Sequence, residues 1–380
     1  MNTPMRRCAL AMALGAVALA ATSASAAVRA TPATPAAAAT FAATRIANWP
    51  VPGAALTSFD IGTVNADGIY AFSDRSNRSV DLYRVATGQF LGHVTGFAGY
   101  DKARGFDAAG PDGVVAVGRR EFWAGDGDSS VKVIDVRRRT VVASIPTGGH
   151  RRVDEMTYDA RDHLVVVVNN ADDPPFVSLI SSRTRKIVAR LPLPRATDGA
   201  EQPAWDPATG LVYLSIPVLD HVAANGAVAV IDPRAHRVLR YLPVSACMPA
   251  GLAVGPNGHL LLGCSDDAIA KGFAAKSVVM NARTGRIVAT IPEVGGSDEV
   301  GYDPQTGRYV LAAVANPGGP VLGIIDARTD RWLGNLPTGP SAHSVAVDPR
   351  TGKVLVPVAA HPGASVCPTG CVAVYALRAD

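Results

Sequence analysis

Two motifs alternate along the sequence from Thr44 onward and return together about every 45–50 residues. The first is an apolar strand, a turn and a second strand: MTYDARDHLVVVV (156–168), PAWDPATGLVYLS (203–215), VGYDPQTGRYVLA (300–312) and VAVDPRTGKVLVP (345–357). The second is VKVIDVRRRTVVASIP (131–146), VAVIDPRAHRVLRYLP (228–243), VVMNARTGRIVATIP (278–292) and LGIIDARTDRWLGNLP (322–337). The D-P-x-T-G and D-x-R-T-x-R segments read as tight turns, in which Pro presets φ and Gly accepts positive φ. The flanking Val, Ile, Tyr and Leu suit half-buried strands. Each unit therefore supplies four antiparallel strands, too few to bury a core alone, so successive units must pack against one another.

That arrangement is a β-propeller in which each unit is one blade. Units begin near Thr57, Asp112, Asp154, Glu201, Ala250, Asp298 and His343, which gives seven. The last unit stops after its third strand, CVAVYALRAD (371–380). TRIANWPVPG (44–53) carries the fourth-strand pattern of TVVASIPTGG (140–149), so the N-terminal strand is expected to complete the last blade. Closing the ring this way removes the sheet edges that invite aggregation, and a monomer is expected.

The V-x-V-I-D segment followed by V-V-A-S-I-P-T-G-G resembles the YVTN-repeat (YncE-like) family of seven-bladed propellers. The resemblance covers nearly all of the chain after residue 43 and implies a secreted or surface protein. It implies no particular activity, because function is set by the site rather than the fold.

The N-terminus supports export. Arg6 and Arg7 precede an apolar run from Ala9 to Ala21, and Ser23-Ala24-Ser25-Ala26 forms an A-x-A-type cleavage site, so residues 1–26 read as a signal peptide. The run is too short for a membrane span, and no transmembrane segment is expected in the mature chain. Residues 27–43 are Ala, Pro and Thr with one Arg and one Phe, a flexible linker with little apolar bulk. Residues 44–380 form the propeller. The net charge of +4 is spread without a basic block, which argues against a nucleic-acid partner. Cys247, Cys264, Cys367 and Cys371 remain after cleavage and lack C-x-x-C spacing, so disulfides in the periplasm or outside the cell are the expectation. A hairpin turning near Asn257 brings Cys247 to Cys264, and Cys367 bridges its short loop to Cys371.

The irregular polar insertions fall on one rim of the ring: SDRSNRS (73–79), FAGYDKARGFDAAGPDG (97–113), GDGDSS (125–130), NNADDPPF (169–176), SDDAIAKGFAAK (265–276), ANPGGP (315–320) and AHPGASVCPTGC (360–371). Such loops on a rigid scaffold are where binding usually sits. Five residues before the turn of each innermost strand stand Asp60, Gly113, Asp154, Glu201, Ala250, Asp298 and His343, with Asp112 one position out of register. Pseudo-symmetry should place these around one mouth of the channel. Carboxylates gathered there repel unless compensated. A divalent cation on Asp154, Glu201, Asp298 and His343 would compensate them, calcium first because it tolerates irregular oxygen geometry. The imidazole leaves zinc open. A plain polar channel neutralised by Arg104, Arg151 and Arg152 is the competing account. Glu155 and Glu299 follow Asp154 and Asp298, and strand alternation leaves open which of each pair faces the axis.

Asn169 and Asn170 are ligand candidates, or caps of the loop before Pro174 and Pro175. Asp126 and Asp128 alternate like calcium ligands but lack the full loop pattern, which favours a turn. Ser344 has no nucleophile elbow around it. The leading function is a binding module that captures a small polar ligand, or a periplasmic or surface protein, at the rim, with or without a cation. The alternative is a calcium-dependent lactonase-like hydrolase, with Asn169 or Asn170 supplying the amide beside an axial metal.

Overall fold

The computed structural model describes residues 43–378. The segments expected to be a signal peptide (1–26) and a linker (27–43) lie wholly and almost wholly outside the described residues. Within them, seven four-stranded antiparallel sheets make a seven-bladed β-propeller. Blades one to six run in chain order over residues 62–95, 114–146, 156–192, 203–245, 249–291 and 300–337. Blade seven takes three strands between residues 346 and 377, and its outermost strand is Ala43–Pro50, paired antiparallel with Cys371–Leu377. The N-terminal strand thus closes the ring. The first strand of every blade contacts the first strands of both neighbouring blades, including blade one against blade seven, which lines a central channel.

Burial follows strand position. The second strand of blade three, Leu164–Asn169, is buried at every residue because neighbouring blades cover both of its faces. Its Val166 and Val168 pack with Leu179 against Val212, Leu214 and Ile216 of blade four. The outermost strand Lys186–Pro192 alternates exposed and covered residues, as a strand with one solvated face must. No helix among the described residues is long and apolar enough to cross a membrane.

The turns are built as the repeat implies. Asp303 accepts hydrogen bonds from the Gln305 and Thr306 amides and from Thr306 Oγ1 at 2.6 Å, and Gly307 takes φ +66°. Asp206 and Asp348 repeat the motif with Thr209 and Thr351. The turn between third and fourth strands also needs one left-handed residue. It is Gly88, Arg139, Arg185, His236, Gly285 and Asp330 in blades one to six, so only two blades use glycine. Blade seven has no such turn, because its fourth strand comes from the other end of the chain.

Cys247 and Cys264 form a disulfide, as do Cys367 and Cys371. The hairpin between the first pair turns at Asn257, which adopts φ +63°.

Candidate functional site

The segments entering the innermost strands of blades one, three, four and six deliver acidic side chains to one channel mouth. A cavity of about 270 Å³ opens there, lined by Asp60, Asp154, Glu155, Glu201, Asp298 and Glu299. Both members of the Asp154–Glu155 and Asp298–Glu299 pairs line it, so the strand alternation that would separate them does not yet operate where the chain enters the strand. Asp198, Asp266 and Asp267 add three more carboxyls, and Arg152 is the one basic side chain in the lining. Three ring positions lack a carboxylate, His343 being one, and the other two have different causes. Gly113 stands where a Cβ would lie 2.2 Å from the Asp154 carbonyl oxygen, so blade two delivers its acid from Asp112 instead. Ala250 lines the cavity without contributing charge.

Two arginines organise one side of the mouth. Arg75 donates from Nε to Asp112 Oδ1 at 2.8 Å and from Nη1 to the Phe59 carbonyl at 3.2 Å, while its Nη2 pairs with both Asp60 and Asp112. Asp112 is fully buried in this bridge and does not line the cavity. Arg152 Nη2 pairs with Asp154 Oδ2 at 2.7 Å, and Asn170 Nδ2 donates to the same oxygen at 2.5 Å. Of the three arginines considered from sequence, only Arg152 neutralises the ring. Arg151 pairs instead with Asp107 and Arg104 with Asp101, both on exposed loop surface. The larger counter-ion, Arg75, was hidden in the loop SDRSNRS, where nothing local distinguishes an inward arginine from a solvated one.

His343 sits at the edge of the mouth. Its ring stacks on Phe59 with centroids 4.8 Å apart, Nε2 lies 3.4 Å from Asp60 Oδ1 and Nδ1 lies 2.6 Å from the Ser341 carbonyl. Burial opposes charge on the imidazole, yet the Asp60 hydrogen bond and the Asp298 carboxylate raise its pKa. Acceptors at both nitrogens favour its charged form. Asp60, although buried, is held well below the usual carboxylate range by Arg75 and His343.

The acids without such partners move the other way. Burial pushes Asp298 up to about 6, with His343 offsetting part of the rise. Burial, then the Asp154 and Asp298 charges, drives Glu201 well above the ordinary glutamate range. Glu155 and Glu299 are raised well above it too, first by burial and then by neighbouring acids. Gln202 lies beneath them. Its Nε2 donates to Glu299 Oε2 at 2.9 Å, and its Oε1 accepts from the Leu252 amide at 2.6 Å and the Val300 amide at 3.2 Å. Sequence reasoning missed Gln202, although the signal was there: it follows Glu201 as Glu155 follows Asp154 and Glu299 follows Asp298. Asp266 and Asp267 lie in the SDDAIAKGFAAK insertion, on a short helix Asp266–Ala270 capped by Ser265.

Two further cavities join the first. One of about 350 Å³ shares Asp60, Arg152, Asp266 and Asp298 with it and is walled by Phe59, Phe106 and His343. The other, about 520 Å³, shares Arg152, Asp198, Glu201 and Asp267 and is walled by Asn170, Asp172 and Asp173. Asn170 therefore belongs to the mouth, and its Oδ1 is buried without a hydrogen-bond partner. Asn169 does not belong to it: its Nδ2 donates to Ser129 Oγ and Thr147 Oγ1 at 3.1 Å, tying two rim loops together. Asp126 and Asp128 both pair with Lys132, which makes GDGDSS an ion-paired turn.

The four expected cation ligands divide between two cavities. Asp154, Glu201 and Asp298 line the first, whereas His343 lines the second with Asp298. Among the described residues, the three acidic or imidazole side chains that bring ligand atoms within 4.8 Å of one another are Asp74, Asp81 and His93, outside this mouth.

No protein-family model matches the chain, and no curated protein matches it either. Solved structures do. A chain of the hydrazine synthase of Kuenenia stuttgartiensis superposes with a TM-score of 0.68 at 14% identity, over 87% of this chain and 98% of that one. A chain of the mitotic checkpoint complex gives a TM-score of 0.68 at 13% identity, over 94% of this chain and 99% of that one. At these identities the likeness is one of fold.

Proposed function

We propose that this propeller is a binding module whose channel mouth captures a small polar ligand bearing a positive charge. The supporting observation is the imbalance of the 270 Å³ cavity, in which nine carboxyl side chains line the wall and Arg152 is the one base. Buried acids in such excess hold protons or attract a cation. A primary ammonium suits them, since its three donors can reach carboxylates spaced around a wall rather than gathered at one point. Calcium, which keeps several waters and takes 6–8 oxygens, is the second candidate. The repeat motifs favour a YVTN-type propeller, and the basic-then-apolar N-terminus together with two disulfides favours action outside the cytoplasm.

Titration calorimetry of the mature protein with a short alkyl diamine, and separately with calcium, tests this reading. Saturable binding of either that weakens by roughly tenfold or more in a Glu201→Gln/Asp298→Asn variant supports it. No binding of either, or equal binding by the variant, removes it. The unpartnered Asn170 Oδ1 beside Asp154 keeps a hydrolase reading alive, and turnover of a lactone panel with calcium present is its measure.

A further inference from the structure

Blade one carries a second polar cluster that the channel mouth does not use. Asp74 ends the strand Ile69–Asp74, Asp81 lies in Ser79–Arg84 and His93 in Gln89–Thr95, with Asp81 and His93 directly opposite in the ladder. One ligand atom from each falls within 4.8 Å of the other two. Asp74 and Asp81 are fully buried, and the His93 ring is mostly covered.

The surroundings point to an ion. Asp81 Oδ1 accepts from Ser79 Oγ at 2.7 Å and lies 2.6 Å from His93 Nδ1, but its Oδ2 is buried with no hydrogen-bond partner. The Asp74 carboxyl lies within hydrogen-bond reach of Asp81, two acceptors facing each other. Asp74 is itself fixed by the Asn77 amide at 3.0 Å and by Asn77 Nδ2 at 2.6 Å. On the far side of the imidazole, His93 bonds the Pro52 carbonyl. That contact holds the Nε2 hydrogen, so an ion that replaces the proton shared between Nδ1 and Asp81 Oδ1 would meet Nδ1 beside the carboxylates, the arrangement in which metal-bound histidines are usually held. Gly53 covers the cluster. It takes φ +96°, which favours glycine, and a Cβ there would lie 2.4 Å from Asn77 Oδ1.

We propose that Asp74, Asp81 and His93 Nδ1 form a site for a divalent first-row transition metal ion, with zinc as the representative. Two carboxylate oxygens and one imidazole nitrogen are too few for calcium, which needs 6–8 oxygens, and they suit zinc, which binds through three protein ligands and an open position. Ser79, Asn77 and Pro52 hold the three ligands in place. Asp74 directly precedes Arg75, so an ion here would also stiffen the strand end that carries the bridge to Asp60 and Asp112. The site is independent of the channel mouth and of any ligand bound there.

The test is cobalt(II) and zinc titration of the full mature protein, stripped with chelator and followed by cobalt visible absorption and by calorimetry. About one equivalent of either ion should bind, with a cobalt spectrum of low coordination number. His93→Gln should weaken binding by roughly 100-fold, and Asp81→Asn by a similar factor. A Glu201→Gln variant, altered only at the channel mouth, should bind as the parent does. Circular dichroism confirms that each variant is folded, and His93→Gln is the milder change because the ring is partly exposed. Absence of cobalt and zinc binding in the parent overturns the proposal. So does binding that survives both His93→Gln and Asp81→Asn.

Discussion

Glu155 of blade three and Glu299 of blade six meet carboxyl to carboxyl across the channel, although three blades separate them around the ring. Gln202 donates to Glu299 from below, so the free proton of the pair belongs on Glu155, which donates to Glu299. Two buried carboxylates cannot both ionise at that range, and the pair titrates as a unit. This contact joins opposite sides of the ring, and Gln202 of blade four likewise reaches past blade five to Glu299 and Val300.

The first prediction is a stability that falls as pH rises. Glu155, Glu201, Glu299 and Asp298 all have raised folded-state pKa values, the last up to about 6 from 3.8. Between the unfolded and folded values the native state binds more protons, so their contribution is complete below about pH 4 and is lost as pH rises through the folded values, about 6 for Asp298. Denaturant unfolding across this window should show the decline. Glu155→Gln keeps a donor to Glu299, removes one of the two titrating carboxyls and should flatten the curve, raising stability at pH 7 by about 1–2 kcal/mol. A steeper decline in the variant would contradict the shared-proton account.

Arg75 is predicted to be the most costly single side chain at the mouth. It bridges Asp60 and Asp112, both buried, and its removal strands two carboxylates. Arg75→Met should cost about 3–5 kcal/mol in denaturant unfolding at pH 7. The penalty should shrink as pH falls, with Asp112 taking a proton first because burial already raises its pKa, whereas Asp60 is held low.

The contrast between these two sites shows what a sequence reveals. Blade number, strand order and ring closure follow from local patterns repeated seven times, because every blade solves the same packing problem. The carboxylate ring follows too, since pseudo-symmetry carries Asp154 and Asp298 to equivalent places. Arg75, Asp198 and Asp266 were not legible: they lie in loops that differ from blade to blade, where only tertiary contact decides direction. Asn169 and Asn170 are adjacent in sequence and still divide, one tying loops together and one facing the mouth. His93 was missed because its partners Asp74 and Asp81 come from two other strands, and no spacing rule links the three.

His236 offers a test of the turn geometry. It is exposed, takes φ +54° and occupies the position that Gly88 and Gly285 fill in other blades. A side chain in that region costs about 1–2 kcal/mol, against roughly 0.5–1 kcal/mol of extra chain entropy for glycine. His236→Gly should therefore stabilise the protein by about 0.5 kcal/mol, read as a higher denaturation midpoint at unchanged slope. A lower midpoint would mean that the turn is not strained.

Ring closure makes the N-terminal strand indispensable. Trp49 stacks on Tyr83 with centroids 5.7 Å apart and packs with Val51, Val372 and Val374, tying blade seven to blade one. Trp49→Ala should cost about 3–5 kcal/mol. Removing residues up to Pro50 would bare the Cys371–Leu377 edge and should give a species that aggregates, visible by light scattering.

The last prediction joins the electrostatics to the proposed ligand. Because burial raises the pKa of Glu201, Glu155 and Asp298 and so favours their protonated forms, a cation entering the mouth must displace protons. Binding should then release protons and strengthen with pH, by up to about tenfold per pH unit for each proton displaced. Calorimetry with a diamine or calcium in two buffers of different ionisation enthalpy measures the number directly. Glu299→Gln changes the count by altering the pair, without touching Asp154 or Arg152. An affinity that is flat from pH 5 to 8, with no buffer dependence, would place the ligand away from these acids and shift attention to the wall formed by Phe59 and Phe106.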